Sequence, residues 1–131
     1  MKEERRALIE YRLEQADESL ESAQILWENK KYRPSVSRSY YAMFYAVQAL
    51  LTRKELITSK HSGAIAIFNR EFVKKKLVDK EFSRWLQEAF DLRQRADYRE
   101  MFKVTSERAK AVLENAHSFV EEIKKKLNED V

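Results

Sequence analysis

The chain has 131 residues, 44% hydrophobic and 37% charged, with one glycine, one proline, no cysteine and a formal net charge of +4. Good helix formers (Lys, Glu, Leu, Ala, Arg) dominate and turn residues are too scarce to punctuate a sheet, so an all-α fold is expected, as one domain over residues 1–131. The missing cysteines exclude disulfides, thiolate metal sites and cysteine nucleophiles, while the mild positive charge permits a nucleic-acid partner without requiring one.

The first predicted helix runs from about Glu3 to Asn29, with Leu13, Ala16, Leu20, Ala23 and Trp27 on one apolar stripe. The segment Asn29 to Pro34 breaks it, because proline lacks the N–H a continuing helix needs, and Pro34 suits the first turn of the next helix. That second helix, about Arg33 to Arg53, carries a broad apolar face of Val36, Tyr40, Met43, Phe44, Val47, Leu50 and Leu51. Arg38, Tyr41, Tyr45 and Gln48 form a second, mixed face, and two occupied faces mark a central helix.

Thr58 or Ser59 is expected to cap a shorter helix, His61 to about Lys75, with the stripe His61, Ile65, Phe68 and Phe72. A fourth helix spans about Asp79 to Tyr98, and a fifth spans about Thr105 to Asn128 with Ala109, Val112, Ala116, Phe119, Ile123 and Leu127 inward. Short connections and a shared core make an up-and-down bundle of four long helices plus one short helix the expected architecture. No apolar run has the length of a membrane span and no signal-peptide core follows Met1, so a cytoplasmic protein is expected. His61 and His117 lie too far apart for metal-ligand spacing; neither a metal nor a cofactor is expected.

Chemistry concentrates where the fourth stripe meets charge. Phe82, Leu86 and Ala89 are continued by Arg93 and Asp97, and charge on a core-facing stripe is costly unless paired or open to solvent. The two are one turn apart, which permits either a structural ion pair or an arginine held in orientation to offer its donor fork to a phosphate. Arg38, Tyr41 and Tyr45, spaced three and then four, share a helical face, either as core area whose tyrosine tips find polar partners or as a basic, aromatic cleft wall for a nucleotide or RNA. His61 opens a helix in Lys60-His61-Ser62-Gly63, either as a hydrogen-bonded core residue or beside an anion at the helix start, where Gly63 permits close approach. His117 reads as packing or surface.

Three pieces, Ser37 to Ala46 (SRSYYAMFYA), Lys60-His61-Ser62-Gly63 and Leu92-Arg93-Gln94-Arg95-Ala96-Asp97-Tyr98, in this order and at these separations, resemble the HEPN family, in its small stand-alone bacterial and archaeal branch. The resemblance covers about Ala16 to Tyr98 by motif. It implies a HEPN-type bundle, usually a homodimer, in many cases encoded beside a minimal nucleotidyltransferase with which it forms a toxin–antitoxin pair. It also implies, for many members, metal-independent ribonuclease activity from an arginine–histidine motif in which arginine holds the scissile phosphate and histidine supports attack by the neighbouring 2′-OH. That motif needs a histidine after four to six intervening residues. From Arg93 those positions hold Tyr98, Arg99 and Glu100, and from Arg95 they hold Glu100, Met101 and Phe102.

The arginine therefore carries over to Arg93 and the histidine to nothing, unless the third helix brings His61 against Arg93. The leading expectation is a nucleotide- or RNA-phosphate-binding protein paired with a minimal nucleotidyltransferase, its ligand held by Arg38, Tyr41, Tyr45, Arg93 and Asp97. The second is a ribonuclease using Arg93 with His61 or Tyr98 as catalytic groups. The third is a structural interaction module in which Arg93 and Asp97 only fix helix register. Trp85, Phe90, Tyr98 and Phe102 add aromatic area that a homodimer interface would use, unless the short third helix covers it.

Overall fold

In the computed structural model, which describes residues 2–56, 58–98 and 102–129, the chain forms five α-helices. They are α1 (Lys2–Glu28), α2 (Tyr32–Arg53), the short α3 (His61–Phe68), α4 (Lys80–Tyr98) and α5 (Ser106–Asn128). The architecture is the all-α bundle of four long helices and one short one. No described helix is long and apolar enough to cross a membrane.

The central place of α2 follows from its two occupied faces: it packs against α1, α3, α4 and α5. Val36, Tyr40, Met43, Val47 and Leu50 are essentially inaccessible, as are Ala16 and Ala23 of α1, Phe68 and Phe72, Leu86 and Ala89 of α4, and Ala116, Phe119 and Ile123 of α5. Small residues let α1 approach α2 closely, and the buried Ser35 hydroxyl donates to the Ala23 carbonyl at 2.8 Å. At the ends of the bundle polar groups tie helices together. Trp27 Nε1 donates to the Ser106 carbonyl at 3.0 Å, and the Arg53 guanidinium donates to the carbonyls of Lys126, Leu127 and Glu129, closing the C-terminus of α5.

Three helical segments stop in the same way. Lys30, Glu55 and Lys76 have φ near +60°, and in each case the following amide reaches back five residues: Lys31 to Leu26, Leu56 to Leu51, Leu77 to Phe72. This is the Schellman stop, usually built on glycine. α1 therefore ends at a left-handed lysine, and Pro34 only occupies the first turn of α2, whose free N–H positions it does not disturb.

Two expectations need correction. The residue capping α3 is Lys60, whose side chain makes no capping bond. Thr58 Oγ1 instead accepts the Lys60 amide at 3.3 Å, two residues ahead of the cap position. Nor does α3 run on to Lys75 as one α-helix, because after Phe68 the chain widens into a π-helical turn, Asn69–Val73. The wider turn keeps Phe72 in the core while Asn69 Oδ1 accepts from Ser83 Oγ of α4 at 2.5 Å.

Candidate functional site

The second face of α2, the start of α3 and the last turns of α4 converge on one aromatic and basic cluster. Tyr40 and Phe44 stand a turn apart on α2 with Tyr41 beside them, so a residue entering over this face meets three rings at once. The loop before α3 delivers His61 there. Its imidazole lies flat on Phe44, with centroids 4.0 Å apart and planes 5° from parallel, and its Nδ1 is 2.7 Å from the Tyr40 hydroxyl. Phe90 of α4 closes the nest against Tyr40.

Arg93 arrives one turn further along α4. Its guanidinium carbon is 5.0 Å from the centre of the Tyr41 ring and 5.7 Å from that of Tyr40, and its Nε lies 3.2 Å from Asp97 Oδ2. That approach is an ion pair without hydrogen-bond geometry, so the buried Nε–H has no acceptor. The Arg93 side chain is 16% exposed and that of Asp97 35%, so the charged continuation of the stripe lies at the edge of the core, where it reaches solvent. Asp97 orients Arg93 and does not saturate it.

His61 and Arg93 therefore meet on the same two tyrosines, the condition on which any joint role depended. Burial, with a smaller contribution from the Arg93 charge, pushes the His61 pKa down, so the imidazole is neutral at pH 7. Burial pushes the Tyr40 phenol well above its ordinary range despite the opposing pull of Arg93. Tyr40 thus keeps its proton, and its buried hydroxyl shares a hydrogen bond with His61 Nδ1 whose donor is set by the His61 tautomer. With Tyr40 as the donor, the imidazole proton resides on Nε2. In that form His61 is a hydrogen-bond donor, suited to holding a phosphate oxygen and unsuited to taking a proton from a hydroxyl.

The remaining predicted residues divide. Tyr41 is crowded: Arg38 as well as Arg93 lies 5.0 Å from its ring centre, and the rings of Tyr40, Phe44, Tyr45 and His61 surround it. It holds guanidinium groups in place and is not an open platform for a base. Tyr45 packs beside it at 5.9 Å. Tyr98 is not brought to the cluster. It is 77% exposed and lines a surface recess with Asp91, Gln94 and Arg95, turned away from Arg93 by its place on the helix. His117 is exposed. Sequence reasoning missed Tyr40, Phe44 and Phe90 as the frame of the site, counting the first two as core and Phe90 as spare interface area; the signal available was that a tyrosine on an apolar stripe must find a partner for its hydroxyl.

The motif-bearing segments thus meet in space, and residues 9–127 match the HEPN domain. The chain belongs to the HEPN family. Among its HEPN relatives, a UPF0332 protein of Thermotoga maritima is 41% identical over 122 residues, covering 93% of this chain and 92% of that one. Two proteins of Methanocaldococcus jannaschii, each bearing the name "Putative toxin", are 41% and 40% identical. The first match covers 98% of this chain and 92% of the relative, the second 91% and 81%.

Proposed function

We propose that this HEPN protein is the phosphate-binding, toxin-type member of a pair whose other member is a minimal nucleotidyltransferase, and that the phosphate of an RNA or nucleotide is held at Arg93. One observation carries the binding reading: Arg93, oriented but unsaturated by Asp97, shares Tyr40 and Tyr41 with a neutral His61, whose second ring nitrogen is a donor when Tyr40 donates to Nδ1. A guanidinium fork beside a neutral N–H donor on a water-poor aromatic wall is a phosphate grip. The toxin names of the two archaeal relatives support the toxin-type role, and the family resemblance supports the pairing.

A metal-independent ribonuclease is the second reading, and the approach of His61 to Arg93 favours it over any version that uses Tyr98. It requires the opposite tautomer of His61, with Tyr40 accepting from Nδ1–H. One experiment separates the readings: labelled structured RNA incubated in EDTA with wild type, Arg93→Ala and His61→Ala, scored for retention and for cleavage. Retention without cleavage, lost in Arg93→Ala, is the expected result. Cleavage lost in both variants while they remain folded would transfer the assignment to the nuclease. Equal retention by wild type and Arg93→Ala would remove Arg93 from the site.

A further inference from the structure

Arg38 has no role in the site as built around Arg93, and its surroundings are unusual. It is half-buried on α2 with its Nε inaccessible and without an acceptor, and among the described residues no carboxylate pairs with its guanidinium. It stands over the ring of Tyr41, at 5.0 Å, the same distance at which Arg93 meets that ring. Beyond Arg38 lies a recess of about 150 Å³ between α1 and α2, walled by Tyr45, Ser19, Ser22 and Glu18. A buried Nε–H with neither hydrogen bond nor counter-charge beside it is costly unless something else completes it, while the two terminal nitrogens are left to offer donors outward. Here a ring contact compensates it only in part.

Charge balance gives the same answer. Arg38 and Arg93 bring two permanent positive charges to one tyrosine, His61 adds none, and among the described residues Asp97 is the single carboxylate paired with either. No more than twice 5.0 Å can separate the two guanidinium carbons, because both are measured from the centre of one ring. Neighbouring phosphates on one ligand can span any separation within that bound.

Resting on the reading of Arg93 as a phosphate site, we infer that the site continues across Tyr41 to Arg38, and that its ligand presents two phosphate groups, one to each arginine. Two sources share this chemistry: successive phosphodiesters of a single strand of RNA, and the diphosphate of a nucleotide. Tyr41 acts as the spacer between the two grips. Glu18, on the rim of the recess, opposes the charge of the second phosphate.

The test is equilibrium binding of a labelled, cleavage-resistant 2′-O-methyl oligoribonucleotide over a salt series, with ADP and AMP as competitors, to wild type, Arg38→Gln, Arg38→Lys, Glu18→Gln and Arg93→Gln. Each phosphate neutralised on a single strand contributes about 0.7 to the slope of log K against log salt. The expected result is a wild-type slope that is shallower by about 0.7 in Arg38→Gln, retained in Arg38→Lys, with tighter binding by Glu18→Gln. Replacing a single linkage of the oligonucleotide by a neutral methylphosphonate produces the same loss from the ligand side, whether or not Arg38→Gln folds. ADP displacing the oligonucleotide at least tenfold better than AMP assigns the site to a nucleotide diphosphate, and no such preference with a retained oligonucleotide slope assigns it to a strand. Wild-type affinity and slope in Arg38→Gln, with binding lost in Arg93→Gln, would overturn the second grip and leave the first. Equal binding by wild type and Arg93→Gln, or none by wild type, would overturn the reading beneath both.

Discussion

At the scale of single residues, the account turns on how much Arg93 contributes to stability. A fully buried pair broken on one side costs about 3–5 kcal/mol, but this pair reaches solvent and lacks hydrogen-bond geometry. Arg93→Ala is therefore expected to lower unfolding free energy by about 1 kcal/mol in urea titrations, far less than a register-fixing role demands. His61 supplies a pH signature. Its folded pKa lies below the ordinary value, so between the two values the unfolded chain binds more protons, and stability falls as pH drops below about 6.5 until the folded group also protonates. Urea midpoints measured from pH 7 to pH 5 should show this decline in wild type and less of it in His61→Phe. Arg93 and Asp97 were legible in sequence because charge interrupted a regular stripe. The pairing of His61 with Tyr40 was not, because Tyr40 is twenty-one positions away and only packing brings its hydroxyl within 2.7 Å.

At the scale of elements, the five helices and their inward stripes were readable from periodicity, and the observed ends fall within a residue or so of expectation except in the third. Two kinds of local geometry were hidden. The π turn after Phe68 has no marker in composition, since it arises from fitting Phe72 to the core and Asn69 to Ser83 at once. The helix stops were hidden because lysine and glutamate occupy the left-handed positions where glycine is usual. Holding a side chain there costs about 1–2 kcal/mol, offset in glycine by its greater freedom when unfolded. Lys30→Gly and Lys76→Gly should each raise unfolding free energy by about 0.5–1 kcal/mol, read from denaturation midpoints. Arg53→Ala should act in the other direction, losing about 1.5–3 kcal/mol as the last carbonyls of α5 lose their donor. Gly63, read as leaving room for a ligand, in fact leaves room for Thr58: a Cβ there would stand 3.0 Å from its Oγ1.

At the scale of the whole molecule, the bundle places its basic and aromatic face where α2, α3 and α4 meet, and that face gives the HEPN assignment its functional content. Part of the aromatic surplus that pointed to a homodimer is now accounted for, since Phe90 packs on Tyr40 and Phe102 against the core, while Tyr98 remains open to solvent. We propose a dimer that buries Tyr98. Light scattering at micromolar concentration should give twice the chain mass, reduced in Tyr98→Glu, and a monomeric wild type would contradict it. The most direct test of the phosphate site follows the His61 ring signals by NMR while wild type and Arg93→Gln are titrated with 2′-O-methyl RNA. A phosphate placed beside both groups should shift the His61 resonances and raise its pKa in wild type, with both effects lost in the variant. His61 signals that stay unmoved at saturation, or that move equally in Arg93→Gln, would contradict the account.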